Sequence, residues 1–241
     1  MSRRRFFTDP PRAGVAELRG DEARHLTRVL RVEPGQKFEI SDNRSVYLAE
    51  IAEARGDLVR FRILEPIEAA PLPVDITLCA ALFKFDRFEW MVEKATELGV
   101  RRIQPVETVR SEKGLFEAAR KRAERWQRIA REAAQQSRRA RLPEILPAVR
   151  FPAALATAAA HRYALEEAAA PPLLGLVPTV RTPADTVALL LGPEGGWTDA
   201  EREQSAAAGW QPVSLGPHIL RAETAALAAL ALVAGAWMAG A

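Results

Sequence analysis

An α/β layer with a largely parallel sheet, preceded by a small β-rich domain, is the architecture this sequence predicts, and three observations predict it. Between residues 37 and 64, short runs largely alternate apolar and polar residues, the pattern of a half-buried antiparallel sheet or small barrel. Beyond residue 74, runs such as Val187-Ala188-Leu189-Leu190-Leu191 are apolar without alternation, as in strands buried on both faces, and helical patterns separate them. Between these regions, Glu68-Ala69-Ala70-Pro71-Leu72-Pro73 reads as a linker, because its prolines resist both helix and central strand. The expected domains are therefore 1–70 and 71–241.

The first domain contains strands at 37–40, 46–51 and 58–64, divided by the turn signals Pro34-Gly35, Asp42-Asn43 and Arg55-Gly56-Asp57. A short helix is expected at 21–30, where Arg24, Arg28 and Arg31 recur at helical spacing with His25 beside them. The second domain opens with a buried strand at 76–82. Asp86 is placed to cap the next helix, Phe88, Met91, Val92, Ala95 and Leu98 share one of its faces, and Gly99 is placed to end it. Residues 103–106 form a further strand, with Pro105 marking a sheet edge or strand end. A long basic helix follows from about Leu115 to Ser137, its narrow apolar stripe running through Phe116, Ala119, Ala123, Trp126, Ala130 and Ala133. A helix near 152–160 and a short strand at 163–165 lead into an Ala/Pro-rich connection.

Two strand–loop–helix units then follow one another. The strand 187–191 runs directly into Gly192-Pro193-Glu194-Gly195-Gly196, and Thr198-Asp199-Ala200-Glu201 fits a capping box that starts a helix. The strand 212–215 runs into Gly216-Pro217-His218-Ile219-Leu220-Arg221, from which the last helix begins. Glycines in such loops let the backbone approach a ligand, and free amides at helix starts bind polar groups, so a cofactor pocket is expected here. It is not a P-loop, since no Gly-Lys-Ser/Thr follows the first glycine, and the sequence contains no G-x-G-x-x-G.

Composition narrows the chemistry. One cysteine, Cys79, excludes an internal disulfide and a multi-cysteine zinc site, and the three histidines are scattered, so no metal is expected. The N-terminal stretch carries basic residues without a long apolar core, which points to the cytoplasm. The net charge of +3 conceals an asymmetry: residues 101–150 hold 14 Lys/Arg against 6 Asp/Glu, whereas residues 151–241 hold 4 against 8. A concentrated basic patch suits a polyanion, with salt-sensitive binding. The last 18 residues, Thr224 to Ala241, carry no charge and are long enough to span a membrane, but alanine and glycine dominate them, so a core or subunit-interface helix is expected and no membrane partner.

The paired segments Leu191-Gly192-Pro193-Glu194-Gly195-Gly196 and Leu215-Gly216-Pro217-His218-Ile219-Leu220-Arg221-Ala222-Glu223-Thr224-Ala225 resemble the signature of the RsmE-type ribosomal RNA methyltransferases of the SPOUT superfamily. The resemblance extends to Lys84-Phe85-Asp86-Arg87-Phe88-Glu89-Trp90, to Lys94-Ala95-Thr96-Glu97-Leu98-Gly99-Val100, and to Gln135-Gln136-Ser137-Arg138 leading into Leu142-Pro143-Glu144-Ile145. It covers essentially the whole chain. His218 and Phe85 depart from the residues common in the family at their positions.

The resemblance implies a SPOUT-type parallel sheet with a C-terminal trefoil knot, a PUA-like RNA-binding barrel in front of it, and a homodimer. It implies methyl transfer from S-adenosylmethionine to N3 of a uridine in the 16S RNA of the small ribosomal subunit. The implied cofactor residues are Leu191, Gly192, Pro193, Gly195, Gly196, Leu215, Gly216, Ile219, Leu220, Thr224 and Ala225. Arg221 is the only Lys or Arg after Arg202; it is expected to support catalysis by stabilising a uracilate oxygen or positioning the base, with a salt bridge to Glu223 or Glu194 as the alternative, and Glu194 is expected to orient the loop or favour the cationic cofactor. Arg5, Arg28, Arg31, Lys84, Arg87, Arg138 and Arg141 are the expected RNA contacts. The competing readings are a SPOUT enzyme that methylates another RNA position, such as a ribose hydroxyl, and a non-catalytic RNA-binding assembly factor.

Overall fold

The computed structural model describes residues 5–240. They divide into two compact units, one formed by residues up to Ala70 together with Ala134–Leu142, the other by Pro71–Ala133 with the chain from Pro143 onward. The division falls at the expected linker, 70/71, and the later segment Ala134–Leu142 groups with the first unit. It joins the first unit because Ser41 Oγ donates to the carbonyl of Ala140 at 2.6 Å and the amide of Leu142 donates to Asn43 Oδ1 at 2.7 Å.

In the first unit, β1 (Arg5–Phe7), β2 (Val15–Arg19), β3 (Lys37–Ser41), β4 (Val46–Arg55) and β5 (Leu58–Ile67) form one sheet in the order β1-β3-β4-β5-β2. Only β1 and β3 run parallel. Alternation sets the faces: Val59 and Phe61 are buried, whereas Arg60 and Arg62 reach solvent and pair with Glu53 and Glu50. Register shifts between β4 and β5 near Leu48 and Ile51 bend the sheet around the core of Phe6, Leu18, Leu26, Ile40 and Ile51. The helix α1 (Gly20–Arg24) continues into a π-helical turn, His25–Val29, in which the amide of Leu30 donates to the carbonyl of His25. Thr27 Oγ1 lies within hydrogen-bond distance of the carbonyls of Ala23 and Gly56 there, holding the turn against the β4–β5 connection.

The second unit contains β6 (Asp75–Ala81), α2 (Phe85–Glu97), β7 (Arg102–Glu107), most of α3 (Leu115–Gln136), β8 (Glu144–Ile145), β9 (Val149–Arg150), α4 (Phe151–Ala154), β10 (His161–Leu165), α5 (Leu173–Leu176), β11 (Thr186–Leu191), α6 (Asp199–Ala207), β12 (Gln211–Val213) and α7 (Ala222–Ala239). The sheet runs β12-β10-β11-β6-β7-β8, with β9 also on β7, and every pair is parallel. The central strands β6 and β11 feed two cores. Leu78 and Leu189 face Phe88, Met91 and Leu230 on one side, while Cys79 and Leu190 face Phe151, Trp197 and Trp210 on the other. Burial raises the Cys79 thiol to about 11, so it remains an un-ionised packing residue at neutral pH.

Local expectations fail in instructive places. Pro105 lies inside the sheet, on β7, and is tolerated because the neighbouring strand is broken there: β7 pairs with β8 through Ile103 and with β9 from Val106. Asp86 is not the cap of α2; Lys84 occupies that position and Asp86 stands in the first turn. The expected helix at 152–160 is a single turn. By contrast, Gly99 ends α2 at φ +94°, and Thr198 caps α6 in a reciprocal pair with Glu201.

Helix α7 is long and apolar enough to cross a membrane by length and composition. It packs on α2, α5, β6 and β11, burying Ala226, Ala229, Leu230, Val233 and Trp237. The indole Nε1 of Trp237 donates to Asp185 Oδ2 at 2.9 Å.

Candidate active site

At the C-terminal ends of β10, β11 and β12 the chain leaves the sheet in three neighbouring loops, the usual location of a ligand crevice in a parallel α/β layer. Between them lies a cleft of about 270 Å³. Its apolar wall is made by Leu165, Leu191, Leu215, Ile219 and Leu220, and Glu166, Glu167, Glu194 and Arg221 supply charge.

The first signature loop is shaped by close contacts. Trp197 Nε1 donates to the carbonyl of Leu165 at 2.9 Å, which lays the indole beneath Gly192; a Cβ at Gly192 would stand 3.0 Å from the ring. Gly196 adopts φ +69° as its amide closes a turn on the carbonyl of Pro193, and a Cβ there would stand 2.0 Å from Glu167 Oε1. Arg110 braces the outer side, donating to the carbonyls of Gly195 at 2.7 Å and Trp197 at 3.3 Å. Glu201 is 3% exposed and accepts from the amides of Thr198 and Val109, so the capping box is also tied to the segment after β7. Arg202 takes Glu166 at 3.1 Å and stands 3.9 Å from Glu167.

In the second signature loop, Ser214 Oγ accepts from the amide of Gly216 at 3.1 Å, while Ile219 is 81% exposed beside the cleft. Arg221 is the N-cap residue of α7. Among the described residues its side chain makes no ion pair, so the expected alternative of a bridge to Glu223 or Glu194 is not formed. Both carboxylates face Arg87 instead: Arg87 Nη1 donates to Glu194 Oε1 at 2.5 Å, and Arg87 Nε stands 3.9 Å from Glu223 Oε1.

Of the expected cofactor residues, Leu191, Gly192, Pro193, Gly196, Leu215, Gly216, Ile219, Leu220 and Ala225 line the cleft, as do Glu194 and Arg221. Gly195 and Thr224 do not. Gly195 turns its Cα toward the Arg110 side chain, and Thr224 is exposed on α7. Leu165, Glu166, Glu167 and Trp197 also line the cleft, beyond the expected set. Their signal is present in the sequence, since Glu166-Glu167 directly follows a predicted strand end, where ligand-facing loops begin in such sheets.

The expected RNA contacts separate into two groups. Arg28, Arg31, Lys84 and Arg141 are exposed. The others carry ion pairs: Arg5 is 6% exposed, donates to Glu39 at 2.8 Å and to the carbonyl of Arg138, while the Arg138 guanidinium also donates to Glu39. Two guanidiniums thus satisfy one buried carboxylate within the first unit. Arg87 is paired with Glu194.

Comparison with known proteins agrees with this geometry. Residues 70–234 match the model of an RNA methyltransferase domain and residues 18–64 that of an RNA methyltransferase PUA domain, so the chain belongs to this RNA methyltransferase family, with a PUA-like domain preceding its α/β domain. Within it, the chain is 37% identical over 226 residues to the Ribosomal RNA small subunit methyltransferase E of Synechocystis sp., covering 87% of this chain and 69% of that one. It is 32% identical over 252 residues to the protein of the same name from Mycobacterium bovis, covering 95% and 90%. A crystal structure of a Ribosomal RNA small subunit methyltransferase E from Neisseria gonorrhoeae bound to S-adenosyl methionine is similar at a TM-score of 0.86, with 33% identity and 95% of each chain covered. A methyltransferase from Legionella pneumophila in complex with S-adenosyl methionine is similar at a TM-score of 0.88, with 28% identity and 98% of each chain covered.

Proposed function

We propose that this protein transfers a methyl group from S-adenosylmethionine to N3 of a uridine in the 16S RNA of the small ribosomal subunit. The observation that carries the reading is that both signature loops meet in one cleft with an arginine, Arg221, that no carboxylate among the described residues has taken. Relatives at 37% and 32% identity are named small-subunit ribosomal RNA methyltransferases, and similar structures hold the cofactor.

The cleft fits the cofactor. Leu165, Leu191, Leu215 and Leu220 give apolar walls for an adenine, the loop backbones around Gly192 and Gly216 come close to the cavity, and Glu167 favours a cation, whereas Glu194 is already paired with Arg87. When bound, S-adenosylmethionine supplies an electrophilic methyl group on a sulfonium. The protein's own contribution is to position and to stabilise charge. Uracil attacks through N3 only as it loses its proton, and the negative charge then spreads over the ring oxygens. Arg221, exposed at the cleft, offers a planar donor fork to such an oxygen, and a donor aimed at developing charge contributes roughly 3–4 kcal/mol once bound substrate excludes water. The proton then has water as a sufficient acceptor.

Three further elements belong to the proposal. The PUA-like unit and the exposed Arg28, Arg31 and Arg141 bind the RNA backbone, with the exposed Lys84 at the start of α2 as a further contact. The C-terminal segment forms a trefoil knot, a reading supported by the strand order: β12 lies outside β10, yet α7 returns to pack on β6 and β11. The partly uncovered apolar helix α7 serves a homodimer. A ribosomal RNA substrate supports a cytoplasmic location. Methyl transfer from labelled S-adenosylmethionine to unmodified small subunits, with nucleoside mass analysis, tests the whole: 3-methyluridine is expected, while a ribose-methylated product or no transfer overturns it.

A further inference from the structure

Arg221 poses an electrostatic problem that its own sequence neighbourhood creates. Glu223 stands two residues away in the same helix start, and Glu194 lines the same cleft. A guanidinium that shares a cleft with a carboxylate ordinarily pairs with it, and a paired guanidinium has little charge left for a developing anion. Yet Arg221 makes no ion pair among the described residues, and both carboxylates are turned to Arg87, in the first turn of α2. Glu223 is 8% exposed, and its Oε2 is buried without a hydrogen-bond partner, so it is a carboxylate in need of a cation. On α2 itself, Glu89 is occupied by Arg122 and Arg125.

We propose that Arg87 is a positioning residue that occupies Glu194 and Glu223 and thereby leaves Arg221 uncommitted for the reacting base. This rests on the methyl-transfer reading given above. Arginine suits the task because its planar fork presents several donors at once, one edge to the tight contact with Glu194 and Nε toward Glu223. The pairing joins residues 107 positions apart, so it ties the start of α2 to the first signature loop and, through Glu223, to the second. Its functional consequence lies on a third residue, which neither partner touches in the ion pair.

The test is a double-mutant cycle. Arg87→Ala releases both carboxylates toward Arg221 and is expected to lower kcat roughly tenfold while changing the KM for S-adenosylmethionine much less. Adding Glu194→Gln to Arg87→Ala removes the stronger competitor and is expected to restore most of the rate. A purely structural role predicts that the rate follows stability, so urea unfolding midpoints are read beside kcat: no recovery, or a recovery only in step with the midpoint, overturns the proposal. Should Arg87→Ala fail to fold, Arg87→Lys replaces it: a single ammonium keeps one charge but cannot face both carboxylates, so a smaller loss with the same rescue is expected. The Nε–Hε NMR signal of Arg221 gives a readout that needs no substrate. It is expected to shift in Arg87→Ala and to return in Arg87→Ala/Glu194→Gln, and an unmoved signal overturns the proposal. Absence of methyl transfer by the wild-type protein would instead count against the proposed reaction, while the NMR cycle still decides what Arg87 does.

Discussion

The indole of Trp197 packs beneath Gly192, near enough that a Cβ at position 192 would stand 3.0 Å from the ring. The indole is held there by its bond to the carbonyl of Leu165, so the base of the cleft is set by three residues from two strand ends. Gly192→Ala must push the ring aside. Gly196→Ala must in addition hold an alanine at φ +69° and displace the Glu167 carboxylate, a combined strain of about 1–3 kcal/mol. Calorimetric titration with S-adenosylmethionine is expected to show weaker binding for both and a larger loss for Gly196→Ala; equal affinity in wild type and Gly196→Ala would contradict the assignment of this loop.

Arg221 is expected to act on the transition state more than on the cofactor. Arg221→Ala should lower kcat by roughly 100-fold, the loss typical of one preorganised donor, with a change of at most about threefold in cofactor affinity. Equal losses in both quantities would return Arg221 to a binding role.

The exposed arginines and the committed ones should behave differently. Replacing Arg28 and Arg31 with alanine is expected to weaken RNA binding for every sequence tested and to reduce the slope of log K against log salt by about one for each phosphate no longer neutralised. Glu39→Ala leaves Arg5 buried without its carboxylate and is expected to destabilise the protein by about 3–5 kcal/mol. Urea unfolding beside an RNA titration at several salt concentrations separates the two effects, and an unchanged unfolding midpoint in Glu39→Ala would contradict the buried cluster.

Asp185 provides an acid-dependent link to α7. Its carboxylate is held below its ordinary 3.8, first by the backbone amide of Thr182 and then by the Trp237 indole. A depressed carboxylate stabilises the fold fully above 3.8, and this contribution is lost as pH falls through the lower folded value. The stability difference between wild type and Asp185→Asn should therefore be constant from pH 7 to about 5 and shrink below about 4. Denaturant curves at pH 7 and pH 3 measure it, and an unchanged gap at pH 3 would show that Asp185 does not carry the dependence.

Much of this molecule is legible in the order of residues along the chain. The unalternating run 187–191 is a central strand because apolar residues in succession have nowhere to go except between two covered faces. Thr198 and Glu201 announce the start of α6 because both bonds of a capping box close within four residues. The two signature loops, the apolar last helix and the proline linker are legible for the same reason: each is a local pattern with a local cause. What the sequence leaves open are choices among partners. It offers Arg5 and Arg138 as free cations, but Glu39 takes both, in the second case across 99 positions. It offers Arg87 as an RNA contact and Glu194 as a possible partner of Arg221, and the fold pairs Arg87 with Glu194. It holds no sign that Glu167 stands against Gly196 or that the break between β8 and β9 accommodates Pro105. By itself, then, the sequence determined the main strands and helices, the family and the loops that meet at the cleft. Only the tertiary structure decided which charge answers which, because a guanidinium pairs with whichever carboxylate the packed chain brings within about 4 Å, and sequence separation carries no record of that distance.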